Sequence, residues 1–132
     1  MNIKLVKAIF LIGAIYEVFI GFMGIVFPFM AFEMYELTPP NHVGYVQFPA
    51  LVLLIFGAMF YRVSKDPVSN RILMLYGAAL KTGYSGIIFY YMMTTGIPSM
   101  WVPWAWADLV FLALFILSWR YTGSLTSQSA QE

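Results

Sequence analysis

Glu17, Lys81 and Asp108 are the side chains of this 132-residue chain whose type and setting point to chemistry. Each lies inside a stretch of otherwise apolar sequence long enough to cross a membrane. An ionised side chain at the centre of a bilayer costs about 2.5–3.5 kcal/mol on insertion scales, so it persists when it faces a bundle interior, pairs with another charge or serves a function. Two carboxylates and one ammonium do not cancel. One acid is left over, and an acid among apolar neighbours is the usual equipment for proton coupling, for binding a polar ligand or for general acid–base work. The competing reading is structural: Lys81 neutralises Asp108 or Glu17, and the buried pair sets helix register.

Helical spacing brings further residues onto the same faces. Gly13, Glu17, Gly21 and Gly24 share one stripe, as do Gly77, Lys81, Tyr84 and Ser85, and Trp104, Asp108, Phe111 and Phe115 form a third. Small residues beside a charge either let neighbouring helices approach closely or leave room for water or a ligand. Gln47, two positions before Pro49, belongs with a local kink or with a polar pair lining a pocket. Gln47, Tyr84 and Trp104 are expected to line the entrance to the charged layer. The methionines show no M-x-x-M ladder and read as packing, and His42 reads as a surface residue of a Pro-Pro-Asn-His loop.

The elements that must position these residues follow from composition. The chain is 61% hydrophobic with 10% charged residues, against roughly 25% charged in an ordinary soluble domain. So few charges cannot cover a water-facing surface, and the partner surface is the lipid bilayer. Four segments satisfy the spanning length of roughly 20 residues: 8–32, 43–61, 72–93 and 100–119. The first begins like a signal peptide, but its apolar run is too long for one and reads as a retained helix. The short connections 33–42, 62–71 and 94–99 place sequential helices antiparallel, predicting an all-α integral membrane protein, a four-transmembrane-helix bundle over residues 1–121. The polar, aperiodic segment 122–132 reads as a disordered tail.

At a rise of roughly 1.5 Å per residue, Glu17 and Lys81 lie roughly 13 Å from one edge of their segments and Asp108 roughly 12 Å from the other, so the three share a layer near the midplane. Lys4, Lys7, Arg62, Lys65, Arg71 and Arg120 all fall on one side, which by the positive-inside rule puts both termini in the cytoplasm. Trp101, Trp104 and Trp106 mark the opposite edge, as a headgroup-level belt or as the wall of a vestibule.

Several classes are excluded or unsupported. Net charge is +1, so no nucleic-acid partner is expected. With no cysteine and one histidine, thiolate metal sites and bis-histidine haem have no ligands, and no phosphate-binding glycine loop or Ser/His/Asp set is present; no cofactor and no metal are expected.

The stretch Arg71 … Gly77-x-x-x-Lys81-x-x-Tyr84, and the Ile97-Pro98 turn leading to Asp108-Leu109-Val110-Phe111, resemble the DoxX-like group of small bacterial four-helix membrane proteins. The resemblance implies a bacterial inner (cytoplasmic) membrane location; that group has no single defined activity, and some members are associated with quinone-linked sulfur oxidation. The Ala14-Ile15-Tyr16-Glu17-Val18 setting is superficially similar to small multidrug transporters, but those lack a third-helix lysine and their glycine patterns are missing here. The expected function is therefore a midplane polar pocket that binds or moves a small amphipathic, cationic or quinone-like molecule, or protons. The alternatives are an accessory subunit of a larger membrane complex or homo-oligomer, with the charges structural, and a membrane enzyme acting on a lipid by acid–base catalysis.

Overall fold

The computed structural model describes residues 1–129, all helix and connecting turn. The order is α1 (Ile3–Val26), a short α2 (Met30–Met34), α3 (Gly44–Lys65), α4 (Arg71–Met93), a 3-10 turn (Ser99–Trp101) and α5 (Val102–Ser129). Helices α1, α3, α4 and α5 are long and apolar enough to cross a membrane.

The helix ends have local causes. The Asn2 side chain accepts a hydrogen bond from Leu5 N at 2.9 Å, so α1 starts at Ile3, earlier than the apolar run alone predicts. Phe27 precedes Pro28, a position that disfavours helical backbone, and α1 stops at Val26. The expected single helix over 8–32 is thus α1 followed by the separate α2. Arg62 and Lys65 occupy the last turn of α3, where positive charge complements the helix dipole, and extend it beyond the expected residue 61. At the end of α4, Gly96 (φ +85°) lets its N–H turn back onto Tyr91 O at 2.7 Å.

The four long helices form a ring in the order α1, α3, α4, α5, with the broadest contacts between α1 and α3 and between α4 and α5. Below the charged layer, toward the end that carries the N-terminus, all four contribute to an apolar core. Phe10 stacks on Phe115 with centroids 4.4 Å apart, and Phe60 meets Phe115 edge-on at 4.9 Å. Val6, Val63 and Met74 belong to the same core. Gly77 is required there, since a side chain at that position would run into the Phe60 ring.

The fourth long helix runs past 119 through Ser129, so helix covers 122–129 where a disordered tail is expected. Thr122 is fully buried, bonded to Ser118 O at 2.9 Å and 3.9 Å from Met74 Sδ. Arg71 Nε donates to Trp119 O at 2.9 Å, and its guanidinium lies 4.2 Å from the Trp119 ring centroid. Contacts from α4, absent from any local sequence pattern, hold this segment in place. The remaining residues of the expected tail, 130–132, lie outside the described residues.

Candidate functional site

The bundle is inside-out by the standards of a water-soluble protein. Ile12, Ile15, Phe19, Ile55, Ile87, Val110 and Leu117 are exposed, while Glu17, Lys81 and Asp108 are 1%, 1% and 5% accessible. Glu17 comes from α1, Lys81 from the diagonally opposite α4, and Asp108 from α5. The Lys81 ammonium bridges both acids: Nζ donates to Glu17 Oε1 and, at 2.7 Å, to Asp108 Oδ1. Burying a charge this completely is tolerable when it is paired and hydrogen-bonded, and each of these three is.

The surroundings are aromatic. Lys81 Nζ lies 4.6 Å from the centroid of the Tyr16 ring and 5.5 Å from that of Phe111, distances at which a ring face attracts a cation. Tyr16 in turn packs on Phe111 at 5.1 Å and on Trp104 at 6.0 Å. The ammonium therefore sits among two carboxylates and two rings.

Helix faces explain why the three charges meet. Gly13, Ala14, Glu17 and Gly21 are the buried residues around the middle of α1, and Gly77, Ala78, Lys81 and Ser85 those of α4. The small residues of α1 serve close approach rather than an open space. A Cβ at Gly21 would stand 2.7 Å from Ala50 O, and one at Gly24 would stand 2.7 Å from Ala50 Cβ. On α4, Ser85 Oγ donates to Ala105 O at 3.0 Å, one turn from the Lys81–Asp108 pair.

The residues expected at the entrance separate. Trp104 packs on Tyr16 at the layer and is 40% exposed. Tyr84 is half-buried, its hydroxyl donating to Trp101 O at 3.1 Å. Gln47 is not brought to the triad: its Nε2 donates to Ile25 O at 3.3 Å, eight residues beyond Glu17, or roughly 12 Å along α1. That carbonyl is one of the last four of α1 and lacks an intrahelical partner, so Gln47 caps a helix end. His42 accepts from Gly44 N at 3.0 Å in an exposed loop.

Tyr16 is the member of the site that sequence reasoning misses. Its neighbour in sequence is Glu17, so the two point roughly 100° apart on α1, and a stripe drawn through Glu17 leaves Tyr16 on the flank. The signal available was its type: an aromatic ring one position from a buried charge, near the same depth as Lys81.

Chemically, the triad carries a formal charge of −1 when all three groups are ionised. One proton makes it neutral. No protein-family model matches the chain, and no curated protein or solved structure is significantly similar to it.

Proposed function

We propose that this is a multi-pass inner-membrane protein, both termini cytoplasmic, whose Glu17–Lys81–Asp108 triad exchanges a proton in step with binding or passage of a small amphipathic molecule of quinone-like or lipid type. The observation that carries this reading is a single buried ammonium bonded to two carboxylates. A low-dielectric interior disfavours the uncompensated negative charge, and a proton is the one ligand that removes it without needing space. Protonation of either acid weakens its bond to Lys81. The Glu17–Lys81 bond joins diagonally opposite helices, so weakening it loosens the bundle axis and admits a polar headgroup between α1 and α4. The resemblance of Gly77 … Lys81 … Tyr84 to DoxX-like proteins favours a quinone-like headgroup over other amphiphiles. The one-sided distribution of Lys4, Lys7, Arg62, Lys65, Arg71 and Arg120 supports the orientation.

The test uses purified protein in liposomes loaded with a pH-sensitive dye, with decylubiquinone as the probe. The expected result is proton uptake or release on adding the quinone, lost in Glu17→Gln and Asp108→Asn. Unchanged quinone binding and proton exchange in both folded variants would remove the reading.

A second reading has its own support. The triad is sequestered, and among the described residues no buried side-chain nitrogen or oxygen lacks a hydrogen-bond partner. That is also the pattern of a register-setting network in an accessory membrane subunit or homo-oligomer. Co-purification with another membrane protein at fixed stoichiometry, together with silent Glu17→Gln and Asp108→Asn variants, would establish it instead.

A further inference from the structure

The turn that joins α3 to α4 gathers Arg62 and Lys65, neither of which forms an ion pair among the described residues. Pro67 is fully buried and anchors it. Asp66 Oδ1 accepts from Ser69 N at 3.1 Å, and Asp66 O accepts from Asn70 N at 3.2 Å and from Asn70 Nδ2 at 2.8 Å. Asn70 uses its other side-chain atom to steer an arginine: Oδ1 accepts from Arg62 Nε at 3.1 Å. Among the described residues, neither terminal nitrogen of Arg62 has a hydrogen-bond or ion-pair partner. Lys65 lies 4.9 Å from the Tyr61 ring centroid and is likewise unpaired; the ion pairs among the described residues are those of Lys81.

Tyr61, Arg62, Lys65, Asp66, Ser69 and Asn70 line a depression of about 490 Å³. We propose that this depression binds the phosphate of an anionic glycerophospholipid, with Arg62 and Lys65 as the charged contacts and Asn70 as the residue that positions Arg62. Fixed donors suit phosphate because the guanidinium can present two N–H groups to its oxygens at once.

Location selects a lipid over a free anion. The depression lies where the apolar helices α3 and α4 give way to charge, and the exposed Tyr61, Val68 and Ile72 flank it. A lipid whose acyl chains lie against the apolar outer faces of α3 and α4 brings its phosphate to this level. Basic pockets at the ends of membrane helices recognise anionic headgroups in this way, each cation adding to the attraction. Asp66 opposes it. Hydrogen bonds from the Ser69 side chain and backbone, helped by Lys7, hold its carboxyl below the usual range, so it is ionised at neutral pH and leaves a net charge of one positive unit around the depression. This site does not depend on the role of the triad.

The test is native mass spectrometry of the whole protein in detergent, with dioleoylphosphatidylglycerol, dioleoylphosphatidylcholine and inorganic phosphate as probes. Wild type is expected to retain phosphatidylglycerol over phosphatidylcholine by on the order of tenfold, and Arg62→Gln/Lys65→Gln to approach parity. Arg120→Gln, a charge removed elsewhere on the same end, should keep the preference. Asp66→Asn, which preserves the acceptor of the turn, should strengthen it. If the double variant does not fold, Lys65→Gln alone, at an exposed side chain, is expected to lower the ratio about threefold. Parity in wild type, an unchanged ratio in a folded Arg62→Gln/Lys65→Gln or Lys65→Gln protein, or full displacement of the lipid by millimolar inorganic phosphate would each overturn the proposal.

Discussion

The two broad seams of the bundle are held by different physics. Along α1–α3 the helices touch through glycine: Gly21 and Gly24 sit against Ala50, and a Cβ at Gly57 would stand 2.6 Å from Val18 Cγ2 and 3.2 Å from Ala14 O. Among the described residues, the one side-chain hydrogen bond across that seam is the Gln47 cap on Ile25 O. Along α4 and α5, with the 3-10 turn before α5, the seam is laced by polar side chains at successive levels: Arg71 on Trp119 O, Lys81 on Asp108, Ser85 on Ala105 O and Tyr84 on Trp101 O. Close van der Waals approach and interhelical hydrogen bonding are the two ways to hold helices together where apolar burial gives no preference between a helix and a lipid tail. The glycine seam makes a closely packed pair. The polar seam sets register, and the triad ties it to α1 through Glu17.

Disturbing the tie between the seams should cost most. Lys81→Met leaves two buried carboxylates without a partner and is expected to lower stability by about 3–5 kcal/mol, read from unfolding in a detergent titration. Combining it with Glu17→Gln and Asp108→Asn should restore most of that loss, because the neutral set has no charge to solvate. If the triple variant is no more stable than Lys81→Met, electrostatics does not dominate the layer.

Overpacking the glycine seam comes next. Gly21→Ala puts a methyl group against Ala50 O and Leu54, at an expected cost of about 1–3 kcal/mol. Arg71→Gln removes the hold of α4 on the far end of α5, a loss of about 1–2 kcal/mol that should appear as faster amide exchange over residues 120–129. On the polar seam, Ser85→Ala should cost only about 0.6 kcal/mol, typical of one interhelical bond between membrane helices. The control is Gly86→Ala: nothing lies within 4 Å of its added Cβ, and better helix propensity should stabilise α4 by up to about 1 kcal/mol. Equal effects at Gly21 and Gly86 would show that the α1–α3 seam is not glycine-dependent.

Much of this arrangement is legible in the chain because its causes are local. Apolar runs interrupted by Pro28, by Asp66-Pro67 and by the Gly96-Ile97-Pro98 turn mark four long helices, and the stripes through Glu17, Lys81 and Asp108 place three charges on inward faces. The signal fails where the cause is a distant residue. The helical continuation through 122–129 depends on Arg71 and Met74 reaching across from α4. Gln47 reads as part of a kink or of a pocket lining until the end of α1 is seen beside it.

The candidate site divides in the same way. Composition and periodicity determine that an ammonium and two carboxylates are buried in one layer, since a charge within an apolar run has nowhere else to be tolerated. Tertiary structure alone decides that Lys81 bonds both acids across the diagonal of the ring, that the Tyr16 and Phe111 faces flank it, and that the glycines of α1 are spent on helix contact. Sequence periodicity gives each helix a face and a depth; which faces meet depends on the order of helices around the ring, which packing sets.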